Sequence, residues 1–184
     1  MDNINATDHN DASITRGAGA SEMMTAQGCY YIDCYGADGV LKWSEIAPNT
    51  VTFQGKNGML DTYFAGSAYT ASWSMSLITA GTATTASTYA TPIVTETTSA
   101  VIAARIVMTW GASASGVKAA TTTAFSIIGT ATITGNMVVA GGTGVATVGN
   151  VAATGGILFS AATFGTAKAV ANGDTLNVTY SITV

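Results

Sequence analysis

The segment GKNGMLDTYFAGSAYTASWSMSLI, residues 55–78, changes its hydrophobic period halfway along. Its first half places apolar side chains at helical spacing, which predicts a short helix over 56–64 with one buried face. The residues of that face are Met59, Leu60, Tyr63 and Phe64. Residues 65–67 include a glycine, which supplies the backbone freedom that a helix end needs, so we expect the helix to stop there.

The second half of this segment alternates with a period of two from position 71 onward. Such spacing predicts a strand with one face on a core and the other on water or a neighbouring molecule. The core face carries Trp73, Met75 and Leu77, and the opposite face carries Ser72, Ser74 and Ser76.

Strand patterns separated by turn signals fill most of the remaining chain. A hairpin is predicted over 28–43 with its turn at 36–39, and a final strand over 175–184 follows a turn at 172–174. The inward residues of the final strand are Leu176, Val178, Tyr180, Ile182 and Val184. Other strands are predicted at 101–110, 121–128, 130–134, 136–140 and 157–164, with breaks at Gly129 and Gly135.

Two segments with little apolar pattern are predicted as surface loops. The first is 79–96, with one short strand near 92–95, and the second is the glycine-rich 141–156, with a weak strand at 145–148. In total, about eight to ten short strands and one helix predict a mainly β fold, an antiparallel β-sandwich of jelly-roll-like type. A parallel sheet would need repeated crossover helices.

The chain is expected to hold one folded domain preceded by an arm. Residues 1–27 lack apolar periodicity, so they are interpreted as an extended N-terminal arm or, as an equal alternative, a simple flexible tail. Residues 28–184 are predicted to form the β-sandwich domain. The start of the chain is polar and acidic, which does not fit a signal peptide, and no apolar run reaches the length that crosses a bilayer.

Composition favours a protein that associates with copies of itself or with partners. Of the 184 residues, 48% are hydrophobic and only 9% are charged, against about 25% charged in an average soluble domain. The net charge is −4, and the six Lys and Arg residues are scattered. This pattern does not favour binding to nucleic acid, and we expect no membrane partner.

No catalytic, cofactor or metal site is predicted. His9 is the only histidine and lies in the predicted arm, which disfavours His-based catalysis and zinc. Cys29 and Cys34 are five positions apart, so on a strand they face opposite ways and are expected to be free thiols. Arg105 has two possible positions, buried against Glu96 or on the solvated face of its strand, and the solvated position is favoured because it is the commoner one for a charge.

Several weaker patterns are assigned to structure rather than to chemistry. A calcium site at Asp33, Asp38 and Asp61 lacks the spacing of a calcium loop. The glycines of 141–149 lack the Lys and Ser/Thr of a phosphate-binding loop. Trp43, Trp73 and Trp110 are expected in the core rather than on a carbohydrate platform. A glycosidase would need two spaced carboxylates, for which the candidates are Glu45, Asp61 and Glu96.

Two segments resemble a group of small virion proteins of tailed bacteriophages. The group has a Trp-x-Glu lead-in, a Gly-Lys-Asn-x-x-Leu-Asp-x-Tyr-Phe helix, a Tyr-Thr-Ala-x-Trp strand and a closing Gly-Asp-x-Leu-x-Val-Thr-Tyr strand. Here these motifs stand at 43–45, 55–64, 69–73 and 173–180. A Gly-Trp-Thr-Glu segment expected after the Trp73 strand is replaced by residues 93–96.

The resemblance implies a protein of the head decoration or capsid cement type. The expected partners are the major capsid protein and further copies of the chain, as a trimer or dimer, on the exterior of a virion assembled in the host cytoplasm. The alternative is a phage tail, fibre or adhesin module that binds a host surface glycan through its Thr- and Gly-rich loops and its tryptophans.

Overall fold

A computed structural model describes residues 25–65, 73–141, 148 and 156–184. These residues form eleven strands and one helix. The elements are β1 (Gln27–Tyr35), β2 (Leu41–Pro48), β3 (Thr50–Val51), α1 (Phe53–Phe64), β4 (Trp73–Gly81), β5 (Val94–Glu96), β6 (Ile106–Val107), β7 (Val117–Ala119), β8 (Thr123–Ser126), β9 (Ala131–Gly141), β10 (Gly156–Val170) and β11 (Thr175–Thr183).

Two antiparallel sheets confirm the predicted mainly β sandwich. In the first sheet the strand order is β2-β1-β11-β7, and β8 also pairs with β11. In the second sheet the order is β3-β10-β9-β4-β5, and β6 also pairs with β4. The predicted hairpin of 28–43 corresponds to β1 and β2, which pair in register around Tyr30 and Ala47.

The main core lies between the sheets. Met75 and Leu77 of the second sheet share it with Leu176, Val178 and Tyr180 of the first, as the alternating patterns predicted. The Tyr30 and Tyr180 rings are in contact, tilted by 40° with their centroids 4.6 Å apart. A hydrogen bond of 3.0 Å between the Tyr30 hydroxyl and Ser160 Oγ ties β1 to β10 across this core.

A second apolar cluster covers the opposite face of the second sheet. It joins Ile78, Met137, Val139, Leu158 and Ala161 of the sheet to Ala83, Tyr89 and Val94 of the segment that follows β4. Neighbouring residues of one strand therefore enter different clusters, as Leu77 and Ile78 do. The second sheet is buried on both faces, whereas the first sheet is buried on one.

This second cluster corrects three predictions. Ser74 and Ser76 are fully buried rather than facing water, because the segment after β4 folds back over their side of the sheet. The segment 79–96, predicted as a surface loop, contributes the buried Tyr89 to the cluster. Its strand, β5, begins two residues later and ends one residue later than predicted.

Glycine at position 135 does not break a strand. Residues 131–141 form the single strand β9, although two strands separated at Gly135 were predicted. A Cβ at this position would lie 2.0 Å from the Ala162 carbonyl oxygen, so the missing side chain lets β9 and β10 approach closely. In contrast, the predicted strand 101–110 is reduced to β6, and Val184 of the predicted inward set is exposed.

Helix α1 begins earlier and is buried less than predicted. Thr52 caps it by accepting a hydrogen bond from the Gly55 amide at 3.0 Å, a common role for threonine. Gly55 sits against Phe159, where a Cβ would meet the carbonyl oxygen at 2.6 Å. The predicted buried face is wrong for Leu60, Tyr63 and Phe64, which are exposed because the helix contacts β10 through its glycine side. Met59, the fourth residue of that face, is partly buried and packs against the main core, as predicted.

Residues 1–24 lie outside the described part of the chain. They make up most of the predicted arm of residues 1–27 and include His9. Gln27, the last residue assigned to the arm, is the first of β1 and lies opposite Thr183. Almost all of the predicted glycine-rich loop 141–156 also falls outside the described residues.

Candidate interaction surfaces

The outward face of the first sheet is nearly free of charge. We call this set the neutral face, and its members alternate with the buried residues of each strand. It comprises Cys29, Tyr31, Asp33, Tyr35, Leu41, Ser44, Ile46, Pro48, Val117, Ala119, Ala124, Ser126, Thr175, Asn177, Thr179, Ser181 and Thr183. Asp33 is its single charged residue.

Hydrogen bonds between side chains order part of the neutral face. Ser44 Oγ donates to Asp33 Oδ1 at 2.6 Å, and the hydroxyls of Thr122 and Thr179 lie 2.9 Å apart. Tyr31 and Ile46 pair across β1 and β2 and are 47% and 64% exposed. The face therefore offers hydroxyl and amide groups around an apolar centre, and burying it against a partner would desolvate a single carboxylate.

An apolar groove lies at one end of the sandwich. We call it the helix groove: α1 forms one wall, and Trp73, Ile157 and Val184 form the rest. Its volume is about 750 Å³. The helix contributes Tyr63 and Phe64, which are 82% and 75% exposed and whose rings meet edge to face.

The strand register explains why these groove residues come together. Trp73 begins β4 opposite Ala140 near the end of β9, and Ile157 follows Gly156 at the start of β10. Val184 follows β11, directly after Thr183, which lies opposite Gln27. The groove therefore marks the end of the sandwich at which β1 starts.

The three tryptophans lie in aromatic contacts. Trp73 packs edge to face on both Trp110 and Phe159, with ring centroids 6.0 and 5.2 Å apart. Trp43 packs on Phe164 and donates its indole N–H to the Ala169 carbonyl at 3.3 Å. All three are half-buried and pack against the main core.

The three carboxylates considered for glycosidase chemistry lie on separate elements. Glu45 of β2 pairs with Lys168 at 2.9 Å, whereas Asp61 lies on α1. Glu96 is buried in an ion pair with Arg105. Of the candidate calcium ligands, Asp38 accepts a hydrogen bond from the Val40 amide within the hairpin turn. The described residues contain no group of three potential metal ligands.

The favoured prediction of a solvated Arg105 is wrong. The structure instead shows the alternative, a buried Arg105 that forms an ion pair with Glu96. Arg105 is 3% exposed and donates two hydrogen bonds to Glu96, at 2.7 and 2.8 Å, and a third to the Tyr89 hydroxyl at 2.8 Å. Burial disfavours the guanidinium charge, but these bonds outweigh it and hold the pKa of Arg105 above its ordinary value. These bonds tie Tyr89, Glu96 and Arg105 of the segment 82–105 together, and the pairing of β5 with β4 attaches this segment to the second sheet.

Gln54 is a further positioning residue that the sequence pattern did not reveal. Its side-chain oxygen accepts hydrogen bonds from the Tyr89 and Leu158 amides at 2.8 and 2.9 Å. Its amide nitrogen donates to the Gly156 carbonyl at 3.1 Å. One side chain in the first turn of α1 thus joins the helix, the segment 82–105 and β10.

Both cysteines are free, as predicted, and differ in burial. Cys34 is buried, and its sulfur lies 3.9 Å from Asp174 Oδ2. Burial and the neighbouring carboxylate raise the pKa of Cys34 to about 11, so its thiol stays protonated at neutral pH. Asp174 also accepts hydrogen bonds from Lys42 Nζ at 2.6 Å and the Ala171 amide at 2.8 Å.

No known protein family, curated protein or solved structure matches this chain. Helix α1 is too short to cross a bilayer, and no other helix occurs among the described residues.

The alternation of residues 175–184 predicted which polar residues of the final strand lie on the neutral face. The sequence pattern did not foresee the helix groove, because exposure of the apolar residues of α1 depends on which side of the helix meets β10. The glycines at 55 and 58 were the available signal. A helix side that lacks side chains can approach a strand closely, and its opposite side then faces outward.

Proposed function

We propose that this chain is a structural protein of a bacteriophage particle, which decorates the capsid exterior and cements it by bridging subunits of the major capsid protein. The neutral face is the observation that carries this proposal. Residues that alternate with the core along five strands place hydroxyls, amides and several exposed apolar side chains on one surface. The resemblance of four sequence motifs to small virion proteins of tailed bacteriophages motivates the same role.

A neutral interface suits a bridging protein for an energetic reason. Charges removed from water must be compensated by well-placed partners, and imperfect pairing costs stability. Hydroxyl and amide groups can instead pair with a partner surface at a lower desolvation cost. Apolar burial around Tyr31 and Ile46 then contributes about 25 cal/mol per Å².

Self-association follows from the same surface chemistry. With 9% charged residues, the chain has little electrostatic repulsion to oppose contact between copies. Assemblies on closed symmetric particles use rotational symmetry, so we expect a trimer or a dimer.

The decisive experiment measures how many copies of the chain each purified particle contains. A cement protein is expected at hundreds of copies per particle, in a fixed ratio to the major capsid protein, by quantitative mass spectrometry. A handful of copies would instead indicate the tail, fibre or adhesin alternative, and absence from particles would reject both roles.

A surface variant tests the neutral face itself. Replacing Tyr31 and Ile46 together by lysine places two charges in the proposed contact, so binding to shells that lack the protein should fall at least tenfold. The matched control is Val40→Lys, which changes a side chain of 61% exposure in the hairpin turn, outside the face. Equal loss with both variants would contradict the assignment of the contact, provided that circular dichroism shows both folded.

A further inference from the structure

The side chains of the neutral face are suited to meet an identical surface. Apart from Asp33 and Cys29, its polar side chains are hydroxyls and one carboxamide, and such groups both donate and accept hydrogen bonds. A group of this kind can pair with the same group of a second molecule, whereas a charged face would repel its own copy. The charge on Asp33 is already engaged within its own chain, where the carboxylate accepts a hydrogen bond from Ser44 at 2.6 Å.

The size of the neutral face also suits a pair of copies. β1 and β11 have nine residues each, so the face is about 30 Å long at about 3.4 Å per residue. It is four strands wide, because β7 and β8 share one side of β11, which gives about 19 Å at about 4.8 Å per strand. The flat outline is therefore about 570 Å², and the side chains make the accessible area larger. A standard interface buries about 800 Å² of each partner, so this face is close to the size that a stable dimer uses.

Symmetry determines how two such faces would meet. Contacts between identical copies are most often isologous, so that each contact occurs twice around a two-fold axis. Two sheets that pack face to face keep their strands within about 30° of each other. A two-fold axis lying between the sheets satisfies both conditions. The apolar side chains of Tyr31 and Ile46, 47% and 64% exposed in the single chain, are then buried in each copy.

We propose that two copies of this chain pair in solution through their neutral faces, sheet against sheet, around a two-fold axis. The pairing extends the two-layer sandwich to four layers and removes Tyr31 and Ile46 from water. It does not require a role in a phage particle. Where the same face binds the major capsid protein, the two copies must separate first, so the dimer competes with attachment to the shell.

Sedimentation equilibrium of the purified full chain, with no shell present, tests the pairing. We expect a monomer–dimer equilibrium that Ile46→Lys weakens at least tenfold, because each dimer would then bury two added ammonium groups. The matched control is Val40→Lys, outside the face and 61% exposed, which should change the dissociation constant less than about twofold. A second control, Tyr63→Lys, places the same charge in the helix groove.

Three results of this experiment would overturn the proposal. The first is a monomer at every concentration measured. The second is a trimer, since an isologous contact joins only two copies. The third is a dimer that either control variant weakens as much as Ile46→Lys does, with circular dichroism showing all three variants folded.

The thiol of Cys29 reports on the face directly, because Cys29 is free and lies on it. Its alkylation by iodoacetamide should slow at least tenfold when the protein is concentrated from the monomeric to the dimeric range, and Ile46→Lys should abolish this protection. Cys34 is buried within the single chain, so its slow alkylation should not depend on concentration. Alkylation of Cys29 at one rate in monomer and dimer would place the contact elsewhere and reject the pairing of neutral faces.

Discussion

The two sheets of this molecule are built from similar residues, yet they meet different surroundings. The first sheet places one face on the core and the other in water, so its strands alternate between buried and partly exposed residues. The second sheet is covered on both faces, and β4 runs through five consecutive buried residues. The same alternation of polar with apolar residues therefore leaves the polar side chains partly exposed in the first sheet and buried in the second.

This difference shows how burial on two faces changes what a polar residue does. On the first sheet, a serine or threonine can exchange hydrogen bonds with water at little cost. On the second sheet, each polar group needs a partner within the protein. Arg105 and Glu96 have such partners, whereas the hydroxyls of Ser74 and Ser76 are buried without one.

The largest expected effect is the loss of the buried ion pair on the second sheet. Arg105→Met should lower the free energy of unfolding by about 3–5 kcal/mol, because it leaves the Glu96 carboxylate buried without its partner. Chemical denaturation followed by tryptophan fluorescence measures this change. Replacing both partners with apolar residues, Arg105→Met with Glu96→Leu, should recover most of the loss.

The matched control for this variant is Lys168→Met at the edge of the sandwich. Lys168 pairs with Glu45 at 2.9 Å, but both side chains remain partly exposed. Such pairs contribute about 0–1 kcal/mol. A loss as large as that of Arg105→Met would contradict the contrast between the buried and the solvated pair.

A second effect concerns the close approach of two strands inside the second sheet. Gly135→Ala should destabilise the protein by about 1–3 kcal/mol, since the added methyl group meets the Ala162 carbonyl and forces β9 from β10. Gly111→Ala is the control, because its nearest contact would be an ordinary 3.4 Å. Thermal unfolding of the two variants measures the difference, and an equal or larger loss of stability in Gly111→Ala would contradict the prediction.

A smaller effect of opposite sign is expected from the buried serines. Ser76→Ala should stabilise the protein by about 1 kcal/mol, because it removes a buried hydroxyl that lacks a hydrogen-bond partner. Ser181→Ala on the neutral face should change stability by less than about 0.5 kcal/mol. Destabilisation by Ser76→Ala in urea titrations would indicate that the hydroxyl has a partner, such as a buried water.

The smallest expected effect is on the loss of stability in acid, and it concerns Asp174 in the turn before β11. Burial opposes ionisation of Asp174, but hydrogen bonds from Lys42 and the Ala171 amide outweigh it and lower its pKa below 3.8. A carboxyl whose pKa is lower in the folded state stabilises the protein above its unfolded pKa, and this contribution is lost as pH falls through the folded value.

Asp174→Asn should therefore lose stability at pH 7 and show a weaker decline between pH 5 and pH 2 than the unmodified protein. Melting temperatures measured across this range test the expectation. Parallel curves for the two proteins would show that other carboxyls determine the acid response.

The sequence was informative where each residue meets only its own sheet and one core. The alternation of Leu176, Val178 and Tyr180 predicted the final strand and its core side, and the turn at 36–39 predicted the hairpin. In both places, local period and turn chemistry decide the structure. No distant part of the chain changes the outcome.

Predictions failed where a distant segment covers a surface. The residues near Ser76 in the sequence do not indicate that Tyr89 and its neighbours fold over the second sheet. The residues near Arg105 likewise do not indicate that its position beside Glu96 is buried away from water. The prediction for the apolar residues of α1 failed for the converse reason, because no other described segment covers the face that was expected to be buried. Their spacing fits a buried face, but the glycine side of the helix takes the contact with β10.

The adjacency of Gln27 and Thr183 has a mechanical consequence. β1 and β11 are antiparallel neighbours, so the start of one and the end of the other lie at the same end of the sheet. A force that separates these two residues acts across the strands and opens their hydrogen bonds one pair after another, as a zipper opens. Tension applied between these two residues would therefore load only one pair of hydrogen bonds at a time, whereas a force on the broad face of the first sheet would not pull this pair apart.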